Sequence, residues 1–190
     1  MNFWEEKYQQ NETGWERGHI NPAFHHWDQF EHMTPGRVLI PGCGRSPEVA
    51  EFAKLGWQVT AVDMAASAID YQHNACAEQT NKVKLIETDL LNWQPSELFD
   101  LVYEQTCLCA LAPELWAKYE ACLASWVKPG GTVAALFMQT GNAGGPPYHC
   151  DLDAMAALFH NDHWDWPQQE PVVSEHPRGI HELGFCLTRK

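Results

Sequence analysis

Val38-Leu39-Ile40-Pro41-Gly42-Cys43-Gly44-Arg45-Ser46 runs from an apolar strand through a glycine turn to a helix start at Ser46-Pro47-Glu48. A glycine turn there sits at the carboxyl end of a strand, where open α/β sheets meet their ligands. Gly42 and Gly44 allow a tight turn and a close approach of backbone to ligand. A lone G-x-G is also found in ordinary turns, so the loop needs a partner. The next strand supplies one. It ends at Val62-Asp63, 21 residues after Gly42, the spacing of the acid that accepts from ribose hydroxyls. Asp63 also stands where a helix cap would, ahead of an alanine-rich segment. Loop and acid together point to a nucleoside.

The same stretch steers away from dinucleotides. A G-x-G-x-x-G/A fingerprint wants a small residue at position 47, where this chain has Pro47. Proline also removes a backbone donor from the helix end that would hold a pyrophosphate.

Further strand ends add polar groups. The third closes with Thr88-Asp89-Leu90, which suits an adenine edge (the Asp89 carboxylate to the amine, the Leu90 backbone to the ring) or a simple cap of the following turn. The fourth closes with Tyr103-Glu104-Gln105. Glu104 is placed to pair with a ligand amino group, or to stand as a solvated loop acid, with Gln105 beside it.

Outward from these motifs the pattern alternates. Strands are expected at 37–40, 58–62, 83–87, 99–103 and 132–137, with helices at 46–55, 65–78 and 115–126 between them. Strand-helix alternation requires a mostly parallel sheet with right-handed crossovers. A helix at 151–160 and two last strands near Val172 and Leu183 complete it. The expectation is an α/β, Rossmann-like, seven-stranded sheet, mostly parallel with an antiparallel C-terminal strand and helices on both faces. Before the first strand, 2–10 reads as a helix carrying Trp4 and Tyr8. Asn21-Pro22 starts another, with Phe24, Trp27 and Phe30 on one face and Pro35-Gly36 as its end.

Composition bounds the function. At 190 residues with 45% hydrophobic and 19% charged residues, the chain suits one compact domain spanning 1–190. A net charge of −13 argues against nucleic acid. The seven cysteines are odd in number and lack a CxxC pair, which fits reduced buried thiols. Ten histidines, His25, His26 and His32 among them, form no metal motif, and Cys107-x-Cys109 alone is too little for zinc. No stretch resembles a membrane span or a signal peptide, so no membrane association, a cytoplasmic location and a monomer are expected.

The G-x-G loop, Asp63, Asp89 and the Lys128-Pro129-Gly130-Gly131 turn resemble a class I S-adenosylmethionine-dependent methyltransferase. More narrowly, Pro41 before the glycines, the Phe99–Tyr103 strand followed by Cys107–Leu111, and Gly145-Pro146-Pro147-Tyr148 resemble the thiopurine S-methyltransferase family with its thiol and halide methyltransferase relatives. The resemblance runs from about Trp4 to Tyr148. It implies S-adenosylmethionine as cofactor, held by the Gly42-Cys43-Gly44 loop, Asp63, Asp89, Leu90, Glu104 and Gln105. It also implies a helical N-terminal cap (1–35) whose Trp4, Tyr8 and Trp15, with Gly18 after them, close over the cofactor. Aromatic faces suit a sulfonium cation and an adenine ring, and they equally serve to staple a helix down. Two positions depart from methyltransferases at large, Ile40 for the usual acid and Ser46 for the third glycine. One departs from the thiopurine enzymes, Gln105 where they carry arginine, which weakens a claim to thiopurine or anionic acceptors.

The function implied is methyl transfer to a small soft nucleophile such as a thiol, with Tyr148 bordering the acceptor. No acid–base pair stands out, and an in-line displacement by a partly ionised thiol does not demand one. A nicotinamide-dependent oxidoreductase and a non-catalytic S-adenosylmethionine-binding domain are the competing readings.

Overall fold

A computed structural model of the chain describes residues 2–27, 33–176 and 179–190. Phe30 and His32, two of the residues expected on the second helix, lie outside the described residues. The chain divides into two compact units, Met1–Gln94 and Pro95–Lys190.

The first unit is built on three parallel strands. β1 (Arg37–Pro41) and β3 (Val83–Glu87) flank β2 (Gln58–Asp63). Pro41 pairs with Val62 and Asp63 with Glu87, so the strands end level with one another. Two crossover helices, α3 (Glu48–Lys54) and α4 (Ala66–Ala75), pack against β2. Ahead of them stand α1 (Phe3–Gln9) and α2 (Pro22–His26). Val38, Leu39, Val49, Phe52, Trp57 and Ala61 form the core, each at most 2% exposed. Truncating an aromatic such as Phe52 to alanine would cost about 3–5 kcal/mol.

Ser46 was expected to cap α3, and it does something else. Pro47 holds the cap position without a side-chain bond, while the Ser46 hydroxyl donates to Glu48. Glu48 is fully buried and also accepts the Asn21 backbone N–H at 2.7 Å. One acid therefore fastens the start of α3 to the start of α2. Asn21 caps α2 through its own side chain to the Ala23 N–H, and Pro22 follows as the first-turn proline.

In the second unit, β4 (Phe99–Gln105) pairs in parallel with β5 (Val127–Gln139), and α5 (Trp116–Trp126) connects them. The Lys128–Gly131 turn lies within β5, as a register shift between Phe99 and Leu101 of its partner. Lys128 Nζ anchors it on Asp100 at 2.5 Å. A side chain on Gly131 would meet Val127 and two carbonyl oxygens within 3.1 Å, which explains the glycine. After α6 (Leu152–Leu158) come β6 (Trp164–Asp165), β7 (Val172–Glu175) and β8 (His181–Arg189). β8 runs antiparallel to β5, β6 and β7. The eighth strand, relative to the seven expected, is the two-residue β6. Its brevity hides it from any periodicity.

This is the mixed α/β, Rossmann-like arrangement that the alternation of elements predicts, mostly parallel with antiparallel pairing at the C-terminal end. Among the described residues, no helix is long and apolar enough to cross a membrane.

Candidate functional site

The glycine loop leaves β1 in a left-handed conformation, with Gly42 at φ +56° and Gly44 at φ +48°. L-residues with a Cβ rarely adopt these angles. The loop is held on three sides. Cys43 N–H donates to the Val62 carbonyl at 3.0 Å. Gln72, fully buried on α4, donates to the Gly44 and Ser46 carbonyls at 2.9 Å each. Asp63 accepts the Gly44 N–H through Oδ2 at 2.8 Å.

Asp63 is 8% exposed, and its other oxygen accepts the Ala65 N–H at 2.9 Å. Burial pushes its carboxyl up, and the N–H groups of Ala65, Gly44 and Met64 pull it back. The acid therefore shapes the loop and the entrance to α4. Three N–H groups on its two oxygens still leave the carboxylate acceptor capacity, out of about four sites, for a ribose hydroxyl.

Over this loop sits an aromatic wall. Tyr8 is 5% exposed, and its hydroxyl lies 2.8 Å from the position a Gly44 Cβ would take. The Trp15 ring meets Tyr8 and Trp4 edge to face, at 5.6 and 5.4 Å between centroids, and its side chain hydrogen-bonds Tyr8. Tyr8 packs with Ala65 and Ala68 of the α4 segment, and Trp4 and Trp15 lie against that cluster. Burial, then the Asp63 charge, push the Tyr8 phenol well above its usual range. The Arg45 guanidinium stacks on Tyr8 at 4.9 Å and Tyr71 at 5.6 Å, and pairs with Glu16 at 3.7 Å. The aromatics thus staple the N-terminal segment onto the loop, and the same faces form a wall beside it. Gly18 is exposed at φ +71°.

Asp89 is exposed and caps the short Leu90–Asn92 turn, accepting from Leu91 N–H at 3.0 Å and the Asn92 side chain at 2.7 Å. Leu90 is buried behind it.

In the second unit, Glu104 is 1% exposed at the carboxyl end of β4, rather than a solvated loop acid. Its Oε1 accepts the Cys107 and Leu108 N–H groups at 3.1 and 2.7 Å. Gln105 is half-buried and accepts the Tyr103 hydroxyl at 2.8 Å. Tyr148 is half-buried, and its N–H donates to the Cys109 carbonyl at 2.7 Å. A Gly145 side chain would collide with the Tyr148 ring at 2.5 Å, so the Gly-Pro-Pro-Tyr glycine is the residue that lets this ring lie down.

Sequence reasoning missed Arg45, Gln72 and Glu182. A glutamine amid the apolar positions of α4 was a visible signal for Gln72. Arg45, beside the glycines, had none. Among the described residues, no three His, Cys, Asp or Glu side chains gather to hold a metal.

Compared with known proteins, the chain matches the family described as thiopurine S-methyltransferase over residues 1–179. Thiocyanate methyltransferase 1 of Arabidopsis thaliana is 28% identical over 159 residues, covering 82% of this chain and 70% of that protein. A thiopurine S-methyltransferase of Pseudomonas putida (strain GB-1) is 27% identical over 202 residues, covering 97% and 93%. Among solved structures, a Burkholderia thailandensis 1,6-didemethyltoxoflavin-N1-methyltransferase with bound S-adenosylhomocysteine superposes with a TM-score of 0.80 at 18% identity, covering 98% of this chain and 85% of that one. A TehB-like SAM-dependent methyltransferase from Corynebacterium glutamicum gives 0.69 at 18% identity, covering 98% of both chains. These structures share its fold.

Proposed function

The chain belongs to the thiopurine S-methyltransferase family, and on that premise we propose that it methylates a small, soft sulfur nucleophile, bordered by Tyr148. It is an S-adenosylmethionine-dependent methyltransferase. The cofactor supplies an electrophilic methyl group on a sulfonium sulfur, and the chain's own residues bind and orient it. The observation that carries the cofactor assignment is the Asp63–Gly44 hydrogen bond, which locks a left-handed glycine loop against an acid at the end of β2.

The roles of the individual residues follow from the groups they offer. Asp63 accepts from the ribose hydroxyls, and the Gly42-Cys43-Gly44 backbone lies against the nucleoside. Asp89 and Leu90 meet the adenine edge, and Trp4, Tyr8 and Trp15, with Gly18 at the end of their loop, cover the ligand. Gln105, a neutral amide, favours a compact acceptor over the bulky anionic ring that an arginine would attract. Some of the relatives carry names of methyltransferases for compact sulfur acceptors, thiocyanate and thiols. We place the enzyme in the cytoplasm, acting as a monomer on a small molecule rather than on nucleic acid.

The test is a ranked acceptor panel with methyl-labelled cofactor. Small thiols and hydrosulfide should exceed a thiopurine in kcat/KM by at least tenfold, with a matched amine inert. A preference for the thiopurine or the amine would overturn the assignment.

A further inference from the structure

Burial of Glu104 leaves one of its oxygens in an unusual position. Oε1 is occupied by the two backbone N–H groups that fold back onto it, but Oε2 is buried with no hydrogen-bond partner among the described residues. Leaving a buried carboxylate oxygen without a donor costs free energy, so such a group calls for an explanation. The turn that brings Cys107 and Leu108 back passes through Thr106 at φ +58°, a left-handed angle that a β-branched residue rarely adopts. Strain of this kind gathers at functional sites. The carboxyl end of a parallel strand is also where α/β enzymes place their chemistry.

We propose that Glu104 is the general base of the reaction, taking the proton of the acceptor thiol through Oε2. The inference rests on the S-methylation reading above. As the acceptor sulfur forms its bond to the methyl group, the carbon–sulfonium bond breaks and its electron pair returns to the cofactor's sulfur. The S–H proton passes to Oε2 and later leaves to solvent.

The surroundings suit a base working near neutrality. The titratable groups that share this buried region are Glu182 of β8, Cys107 and Cys109 after β4, Cys150 after β5 and Tyr119 of α5. Burial pushes Cys109, Cys150 and Tyr119 far up, which keeps them protonated and leaves Glu104 to titrate. Burial first, then the Glu182 charge, raises Glu104 to about 7, against the pull of the Leu108 and Cys107 N–H groups. A base is most effective when its pKa lies near the working pH, and an ordinary thiol, at about 8.5, is only slightly ionised there.

The experiment compares a thiol with thiocyanate, an acceptor that carries no proton to lose. Glu104→Gln keeps an oxygen for the two N–H groups but cannot take a proton. Its ratio of kcat/KM for thiol over thiocyanate should fall at least tenfold, and the thiol pH profile should lose its inflection near 7. Glu182→Gln should retain thiol methylation with that inflection moved to lower pH. An infrared titration of the cofactor-free protein should show a protonated-carboxyl band that disappears as pH rises through neutrality and is absent from Glu104→Gln. An unchanged ratio, an inflection unmoved in Glu182→Gln, or a band that survives in Glu104→Gln would each overturn the proposal. If the native enzyme methylates neither acceptor, the S-methylation reading falls and takes this inference with it. If it methylates both and the ratio stays constant, only the base falls.

Discussion

Glu5 caps a helix to which it does not belong: its carboxylate accepts the Ser67 backbone N–H at 2.9 Å and the Ser67 hydroxyl at 2.7 Å. The position where α4 would carry its own cap is Ala65, which makes no side-chain cap bond. Asn2 adds a hydrogen bond to the Met64 carbonyl at 2.7 Å. The N-terminal helix is thereby tied to the helix that follows Asp63, and the tie depends on the Glu5 charge.

The Ser67 hydrogen bonds, the backbone one first, hold Glu5 below its usual 4.5. A depressed carboxylate stabilises the fold above its ordinary pKa and loses that contribution as pH falls through the folded value. Glu5→Ala should therefore cost about 1 kcal/mol near neutrality, the usual worth of a helix cap. Urea denaturation should show the gap from the native protein closing in acid.

Gly44→Ala should destabilise the protein by about 1–2 kcal/mol, the usual scale for a residue forced to a left-handed φ. Its Cβ would also press on the Tyr8 hydroxyl at 2.8 Å. Adding Tyr8→Phe to Gly44→Ala should restore part of the loss in thermal melts, because it clears the clash and leaves the backbone strain.

Asp63→Ala should weaken S-adenosylhomocysteine binding at least tenfold by calorimetry, since a hydrogen bond to a charged group contributes about 1.5–3 kcal/mol. An unaltered affinity would confine Asp63 to holding Gly44 and Ala65.

Glu104 carries a pH signature of its own. A carboxyl raised from 4.5 to about 7 stays protonated in the folded chain after it has ionised in the unfolded one. Stability is therefore unaffected by it below pH 4.5 and falls as pH rises from there to about 7. The loss is on the order of 3 kcal/mol. Chemical denaturation of Glu104→Gln at pH 5 and 8 should show a smaller decline than the native protein.

Tyr148→Ala should raise the acceptor's KM several-fold and leave cofactor affinity alone. Initial-rate kinetics with both substrates varied separates the two effects.

The fold was legible because strand, turn and helix alternate with few interruptions, and the glycine loop with Asp63 marked the nucleoside end. The pairing of Asp63 with Gly44 joins adjacent strand ends, so spacing alone brought it within reach. Glu104 was harder. Its sequence neighbours gave it no mark of burial, and Glu182, whose charge it feels, lies on the last strand of the sheet. Likewise Thr106 does not advertise a left-handed angle, because β-branched residues normally avoid it. Glu5 lies in the first turn of its own helix, and its role as a cap for α4 arises only when α1 packs on α4.

Single-turnover incubation with methyl-labelled S-adenosylmethionine and a small thiol, read by mass spectrometry, tests the central claim most directly. One labelled thioether should form for each S-adenosylhomocysteine released. Absence of product, or label on nitrogen or oxygen of an acceptor that also carries a thiol, would contradict it.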